Sequence, residues 1–167
     1  FAPSLIDLIA RDYTPGTRDN VFDVGGVRAG ISICFDIVDD QLLTDMMQDH
    51  AQVILAQTNN ADFGETDENQ QQLAIARLRA IESGRALVNI STVGSSQIIA
   101  PDGRTISEIP PFTPGHMVAD VPLGTTTTPA TLLSRGIEYL VAGLGLFGLI
   151  VAAGSRRRSD PLIHRSL

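Results

Sequence analysis

Lysine is absent from this 167-residue chain; all 12 of its basic side chains are arginine. Any reaction step that needs a lysine amine must draw it from outside this stretch, because arginine stays protonated and binds in a different geometry. Cysteine is nearly absent too, with Cys34 alone. One cysteine forbids an internal disulfide, excludes a cysteine-based structural zinc site and leaves the redox compartment open. Positive charge as a whole is scarce. The net charge of −7 excludes nucleic acid as a partner, since phosphate binding needs a basic surface. No motif calls for a cofactor or a metal.

What is present is a chain with 43% hydrophobic and 19% charged residues, enough for one domain with a core of its own. Its organising stretch is Gly30-Ile-Ser-Ile-Cys-Phe-Asp36. Ile31 and Ile33 are β-branched and alternate with Ser32, which predicts a buried strand ending at Cys34. Asp39 or Asp40 then caps a helix over 41–50, with Leu42, Leu43, Met46 and Met47 on one face. A cysteine at such a turn projects from the end of a sheet. Its thiolate would gain from the helix N-terminal dipole and could act as a nucleophile. The plainer reading is a small buried hydrophobe. Against it stand the position at the strand's end and the aromatic–carboxylate pair Phe35-Asp36 directly after.

Along the rest of the chain, Leu5, Leu8 and Ile9 suggest a short helix over 1–12, and 13–17 reads as a turn. Strands are predicted at 21–24 and 27–34, joined by Gly25-Gly26 as a hairpin. A buried strand at 53–57 leads into a loop with Asn59 and Asn60. Asp67, with Gln70 three residues on, marks a capping-box-like start for a helix to about Ser83. Its core face carries Leu73, Ala76, Ala80 and Gly84, while Arg77 and Arg79 default to a solvated face. Further strands are expected at 86–91, 96–100, 105–109 and 116–121. This alternation predicts helix layered on sheet.

Composition changes at Gly124. Thr125 to Thr128 followed by Pro129 reads as an extended polar linker, covering 124–136. From Ile137 to Gly154 the chain is apolar except for Glu138. Eighteen residues at about 1.5 Å each give roughly 27 Å, enough for a thin bilayer core. Arg156-Arg-Arg158 follows at once, as basic clusters do at cytoplasmic ends, and places the preceding domain outside the cytoplasm. Gly143, Gly145, Gly148 and Gly154 offer a small-residue face to other membrane helices. A buried soluble helix is the competing reading. The tail, 155–167, is expected to be basic, cytoplasmic and disordered.

Four stretches in order resemble the nitrilase, or carbon–nitrogen hydrolase, superfamily. Ile-Cys-Phe-Asp is similar to its nucleophile strand, where an aromatic residue and usually Glu follow the cysteine. Thr58-Asn59-Asn60-Ala61-Asp62-Phe63-Gly64 is similar to its Asn-containing loop, with Asp62 where an aromatic often stands. The stretch from Gln72 to Arg85 resembles the helix after it, and Ile99-Ala-Pro-Asp-Gly-Arg104 the next hairpin. With the apolar C-terminal segment, these point to the apolipoprotein N-acyltransferase branch. The resemblance implies an αββα sandwich, of which 1–123 would be the C-terminal part. It implies Cys34 as the nucleophile of a Glu–Lys–Cys triad, with Phe35, Asp36 and Asn59 supporting the substrate or oxyanion site, though Asn59 suits loop shaping better. In this reading Arg77 and Glu82 make polar contacts inside the sandwich. The triad Glu and Lys would lie upstream in a multi-pass protein of the cell membrane, since the chain opens at Phe1-Ala-Pro without an initiator methionine or a signal peptide. The partners implied are a phospholipid acyl donor and an apolipoprotein acceptor. Two alternatives stay open: a membrane-tethered amidase or nitrilase, and a non-enzymatic tethered interaction domain in which Cys34 is merely buried. A Cys–His hydrolase using His50 or His116 is weaker, since neither has a protease-like context.

Overall fold

The computed structural model describes residues 16–158 apart from 18 and 134; the helix expected over 1–12 and most of the expected tail lie outside them. Six strands form a single sheet in chain order: β1 (Val21–Val24), β2 (Val27–Ile33), β3 (Val53–Thr58), β4 (Ala86–Ser91), β5 (Ser96–Ile99) and β6 (Thr105–Ile109). The β1–β2 hairpin turns on Gly25 and Gly26, with φ of +62° and +86°. Two consecutive left-handed residues define the tight turn whose twist suits a hairpin, and only glycine takes both at little cost. β2, β3 and β4 then run parallel, whereas β4–β5 and β5–β6 pair antiparallel.

Parallel neighbours need crossovers, and helices supply them. The first is α1 (Asp40–Gln48) and the second α2 (Glu68–Ser83). Both lie on one face of the sheet, where Leu43, Met46, Leu73, Ala76 and Ala80 pack on Ile54, Ala56, Leu87 and Ile99. Ile54, Leu87, Ile99, Ala76 and Ala80 are fully buried. The core sits between this face and these helices. The resemblance implies two sheets face to face; the described residues supply one, with its helical layer.

The opposite face is apolar as well but only partly covered. Ala29, Val53 and Ala86 are buried there beneath Val121, while Phe22, Val24, Ile33 and Ile90 remain exposed. Val121 belongs to the expected strand at 116–121, which does not form. A strand needs a neighbour to share its hydrogen bonds. This segment instead lies over the sheet face, broken by Pro114 and Pro122, which lack an N–H to donate.

Three other local expectations are revised. Asp67 makes no side-chain cap on α2; its carbonyl receives the Gln70 and Gln71 N–H groups, and the Gln70 amide turns to Ser95 Oγ at 3.0 Å. Part of the expected linker is helical, as α3 (Pro129–Leu133), because Thr128 Oγ1 accepts the Thr131 N–H at 3.1 Å and proline suits the first turn. Arg135–Arg158 then form one long helix, α4, so the four residues from Ser155 are helical. Within it, residues 136–154 are long and apolar enough to cross a membrane, with mean hydropathy 1.9, and none of that span is buried. Among the described residues no protein core surrounds this helix.

Arg85 joins the linker to the domain. It is 3% exposed and donates to the carbonyls of Ala51 at 2.6 Å, Ser83 at 3.2 Å and Thr126 at 2.8 Å. Burial lowers the pKa of its guanidinium, whose charge is spread over carbonyl oxygens.

Candidate active site

The end of β2 is one of three places among the described residues, with His50 and Phe112, where a non-glycine residue takes a left-handed backbone. Cys34, directly after the strand, has φ of +56° and is half-buried. A left-handed conformation costs a non-glycine residue of order 1–3 kcal/mol and persists only where the surroundings impose it. A 3-10 turn, Cys34–Val38, follows at once. The expected dipole argument is thereby corrected. α1 starts at Asp40, beyond this turn, and Asp39 caps it by accepting the N–H groups of Gln41 at 2.8 Å and Leu42 at 3.3 Å. The N–H groups that follow Cys34 directly are those of the short turn, of Phe35 and Asp36. As the first donors of a helical turn they have no acceptor within it.

Side chains from two directions brace this elbow. On the strand side, Asp36 Oδ2 accepts the N–H of Ile33 at 3.2 Å, which closes a small ring around Cys34. On the helix side, Gln72 Nε2 donates to the Cys34 carbonyl at 2.9 Å. Gln72 is 5% exposed, and its Oε1 accepts from Asn60 Nδ2 at 2.7 Å. Asn60, 2% exposed, receives two hydroxyls on Oδ1, from Thr58 at 2.5 Å and Ser91 at 2.6 Å. Ser91 Oγ in turn accepts the N–H of Gly94 at 2.8 Å. A Cβ at Gly94 would stand 2.7 Å from that oxygen and 3.3 Å from Asn60 Cγ, so only glycine lets the loop approach.

Farther along the turn, Arg79 donates to the carbonyls of Ile37 at 2.9 Å and Val38 at 2.7 Å. It also pairs with Asp40 at 2.5 Å and Glu82 at 2.7 Å, and its side chain is 11% exposed. Burial alone would lower its pKa, but the bonds to Glu82 and Asp40 outweigh that and raise it. The solvated-face expectation is wrong for this residue, because its donors match the carbonyls that end the turn. Arg77 is engaged too. It reaches the Gly103 carbonyl, Gln97 Oε1 at 2.6 Å and Thr105 Oγ1 at 3.0 Å, and so clamps the β5–β6 hairpin.

Of the residues singled out from the sequence, Cys34, Phe35 and Asp36 share the elbow. Phe35 is 63% exposed there and Asp36 is exposed. Asn59 lies in the neighbouring loop after β3. Its Oδ1 accepts from Ala61 N at 3.3 Å and Thr92 Oγ1 at 2.8 Å, which fixes the loop's shape. His50 precedes β3, at the end of the parallel strands opposite Cys34. His116 lines a hollow of about 520 Å³ beside β4 and β5, with Ile90, Thr92 and Phe112. No hydrogen bond among the described residues joins either histidine to Cys34. Asn60, Gln72, Ser91 and Arg79 are the contributors that sequence reasoning missed. No cluster of His, Cys, Asp and Glu among the described residues could hold a metal ion.

Comparison with known proteins narrows the family. The carbon-nitrogen hydrolase family profile matches residues 8–130. The chain is 34% identical to an apolipoprotein N-acyltransferase of Mycolicibacterium smegmatis over 92% of its own length and 26% of the relative's. It is 34% identical to apolipoprotein N-acyltransferase 1 of Treponema pallidum over 83% of its length and 24% of that protein's. It thus spans about a quarter of these relatives. Among solved structures, an amidase from Nesterenkonia sp. AN1 superposes with a TM-score of 0.57 at 22% identity, covering 78% of this chain and 51% of that one. The parallel strand ending in a strained cysteine, the helical layer on one sheet face and a profile match over most of the domain agree, and the chain belongs to the carbon-nitrogen hydrolase family.

Proposed function

We propose that this chain is the C-terminal part of an apolipoprotein N-acyltransferase, with Cys34 as its nucleophile. The observation that carries the assignment of Cys34 is the elbow: the only cysteine sits at the end of a central parallel strand with φ of +56° and buried side chains bracing the peptide after it. The acyltransferase reading itself is supported by the curated relatives, which are similar over most of this chain.

The reaction runs in two halves. In the first, the Cys34 sulfur attacks the ester carbonyl of a phospholipid. The thiol proton passes through a carboxylate base to the departing alkoxide, the C–O bond breaks, and a lysophospholipid leaves an acyl thioester on Cys34. In the second, the α-amino group at the N-terminus of a diacylglyceryl-cysteine attacks the thioester. An N–C bond forms, the C–S bond breaks, and the amine's proton returns to sulfur. Each half passes through an oxyanion, which the N–H of Phe35, the first after the sulfur, would help to stabilise. The base, and a lysine at the oxyanion, are expected from the rest of the longer protein, since this chain has no lysine. α4 would cross the membrane in which both substrates lie, with the catalytic domain outside the cytoplasm and Arg156–Arg158 inside it.

The test is acyl transfer from phospholipid to a diacylglyceryl peptide by the full-length protein. Cys34→Ala, which keeps the Cβ of a half-buried side chain and removes only the sulfur, is expected to abolish transfer and to remove a hydroxylamine-sensitive acyl adduct from the protein. Transfer by the alanine variant at near wild-type rate would exclude Cys34. Cys34-dependent release of free acid or ammonia from simple amides, without transfer, would favour a tethered amidase instead.

A further inference from the structure

The hydrogen bonds behind Cys34 have one polarity. Gly94 N–H donates to Ser91 Oγ, so the Ser91 hydroxyl proton is free to go to Asn60 Oδ1, at 2.6 Å. Thr58 Oγ1 also donates to that oxygen. With its carbonyl claimed by two hydroxyls, the Asn60 amide must present its NH2 to Gln72, at 2.7 Å. Gln72 Oε1 is then an acceptor, and its own NH2 can face only the Cys34 carbonyl, at 2.9 Å. Neither amide can flip without setting like groups against each other. Both are at least 95% buried, with 2% and 5% exposure, so water does not compete for these bonds.

The recipient carbonyl belongs to the Cys34–Phe35 peptide. A donor on a peptide oxygen draws density out of the amide nitrogen and makes the N–H at the other end a stronger donor, as in any hydrogen-bonded chain. That N–H is Phe35's, the group that serves the oxyanion in the proposed reaction. We infer that Gln72, oriented by Asn60, is a positioning residue that fixes the Cys34–Phe35 peptide and strengthens the Phe35 N–H toward the oxyanion. The inference rests on Cys34 being the nucleophile. It assigns α2 a part in the chemistry that acts through the Cys34–Phe35 peptide.

Two reactions of Cys34 separate this role from general support. Acylation by p-nitrophenyl butyrate passes through an oxyanion and releases a p-nitrophenolate burst. Alkylation by iodoacetamide is a displacement at carbon with no oxyanion. In the full-length protein, Gln72→Met keeps the volume and removes the donor. The acylation rate constant is expected to fall about tenfold at unchanged KM, the order expected for one lost hydrogen bond. The alkylation rate is expected to stay within about twofold. Asn60→Asp, which still accepts both hydroxyls but cannot donate to Gln72, is expected to give the same selective loss and serves if the methionine variant does not fold. A burst within twofold of wild type in these variants would overturn the inference. So would a parallel fall in acylation and alkylation, which would reduce the network to fold support. Cys34→Ala tells the two readings apart. A burst that survives it removes the nucleophile assignment, whereas a Cys34-dependent burst indifferent to Gln72 removes only the role of the relay.

Discussion

Asp36 braces the elbow from the side opposite Gln72, and its charge gives it a second possible task. Its carboxylate accepts the Ile33 N–H at 3.2 Å, a bond across Cys34 that an asparagine oxygen could also make, though more weakly. The carboxylate is exposed and so open to an acceptor amine. If the carboxylate attracts and orients that amine, Asp36→Asn lowers the second half-reaction about tenfold or more and leaves thioester formation within about threefold. Asp36→Glu, the residue usual in the family, is the milder change. Single-turnover measurements of acyl loading and of aminolysis check this, and equal rates in all three forms would reduce Asp36 to its brace.

At the scale of elements, α2 does more than fill the crossover between β3 and β4. Gln72 and Arg79 are seven residues apart and so share a face, one gripping the start of the 3-10 turn and the other its end. Removing Arg79 strands Asp40 and two carbonyls. Arg79→Met is expected to cost about 2–3 kcal/mol, below the figure for a fully buried pair because Asp40 is partly exposed. It should appear as a lowered Tm in thermal unfolding, with the Cys34 reactions affected less than by Gln72→Met; an unchanged Tm would show that solvent replaces these bonds.

This helix also shows where sequence reading stops. The strand leading to Cys34, the Gly25-Gly26 turn and the apolar stripe of Leu73, Ala76 and Ala80 follow from local pattern, because each is set by neighbours within one turn or one hairpin. The relay is not of that kind. Gln72 stands in the polar run Asn69-Gln70-Gln71-Gln72, in the first helical turns, where solvated side chains are the rule. Its partners arrive from β2, the loop after β3 and the end of β4. A polar residue flanked by core positions at helical spacing, with an arginine seven residues on, was the one available signal. The segment 116–121 failed for a related reason: alternation can mark a strand, but only a neighbouring edge makes one.

For the whole molecule, the arrangement of charge around α4 predicts a direction. The three arginines at 156–158 resist translocation, and the span before them is apolar and unburied. A reporter joined after Leu167 of the full-length protein is expected on the cytoplasmic side, and one inserted at 124–128 on the opposite side. Reporter activity at the two sites decides it, and reversal at both would invert the membrane orientation and undercut a lipoprotein acceptor.

The short helix α3 ties that span to the domain at a particular place. Both Thr128 and Thr131 donate to the carbonyl of Glu82, in the last turn of α2, while Gln72 near the other end of the same helix touches the Cys34 peptide. Ten residues of helix separate the two grips, about 15 Å at 1.5 Å per residue. α2 is thus a ruler between the mooring of the membrane span and the sulfur. On the proposed reading, any part of that distance lying along the membrane normal would draw the first methylenes of a lipid ester out of the hydrocarbon, at about 0.8 kcal/mol each if they met water. An acyltransferase of the proposed kind would then need a dry path from the membrane to the thiol, and shortening α2 by one turn would bring the two grips closer by about 5 Å.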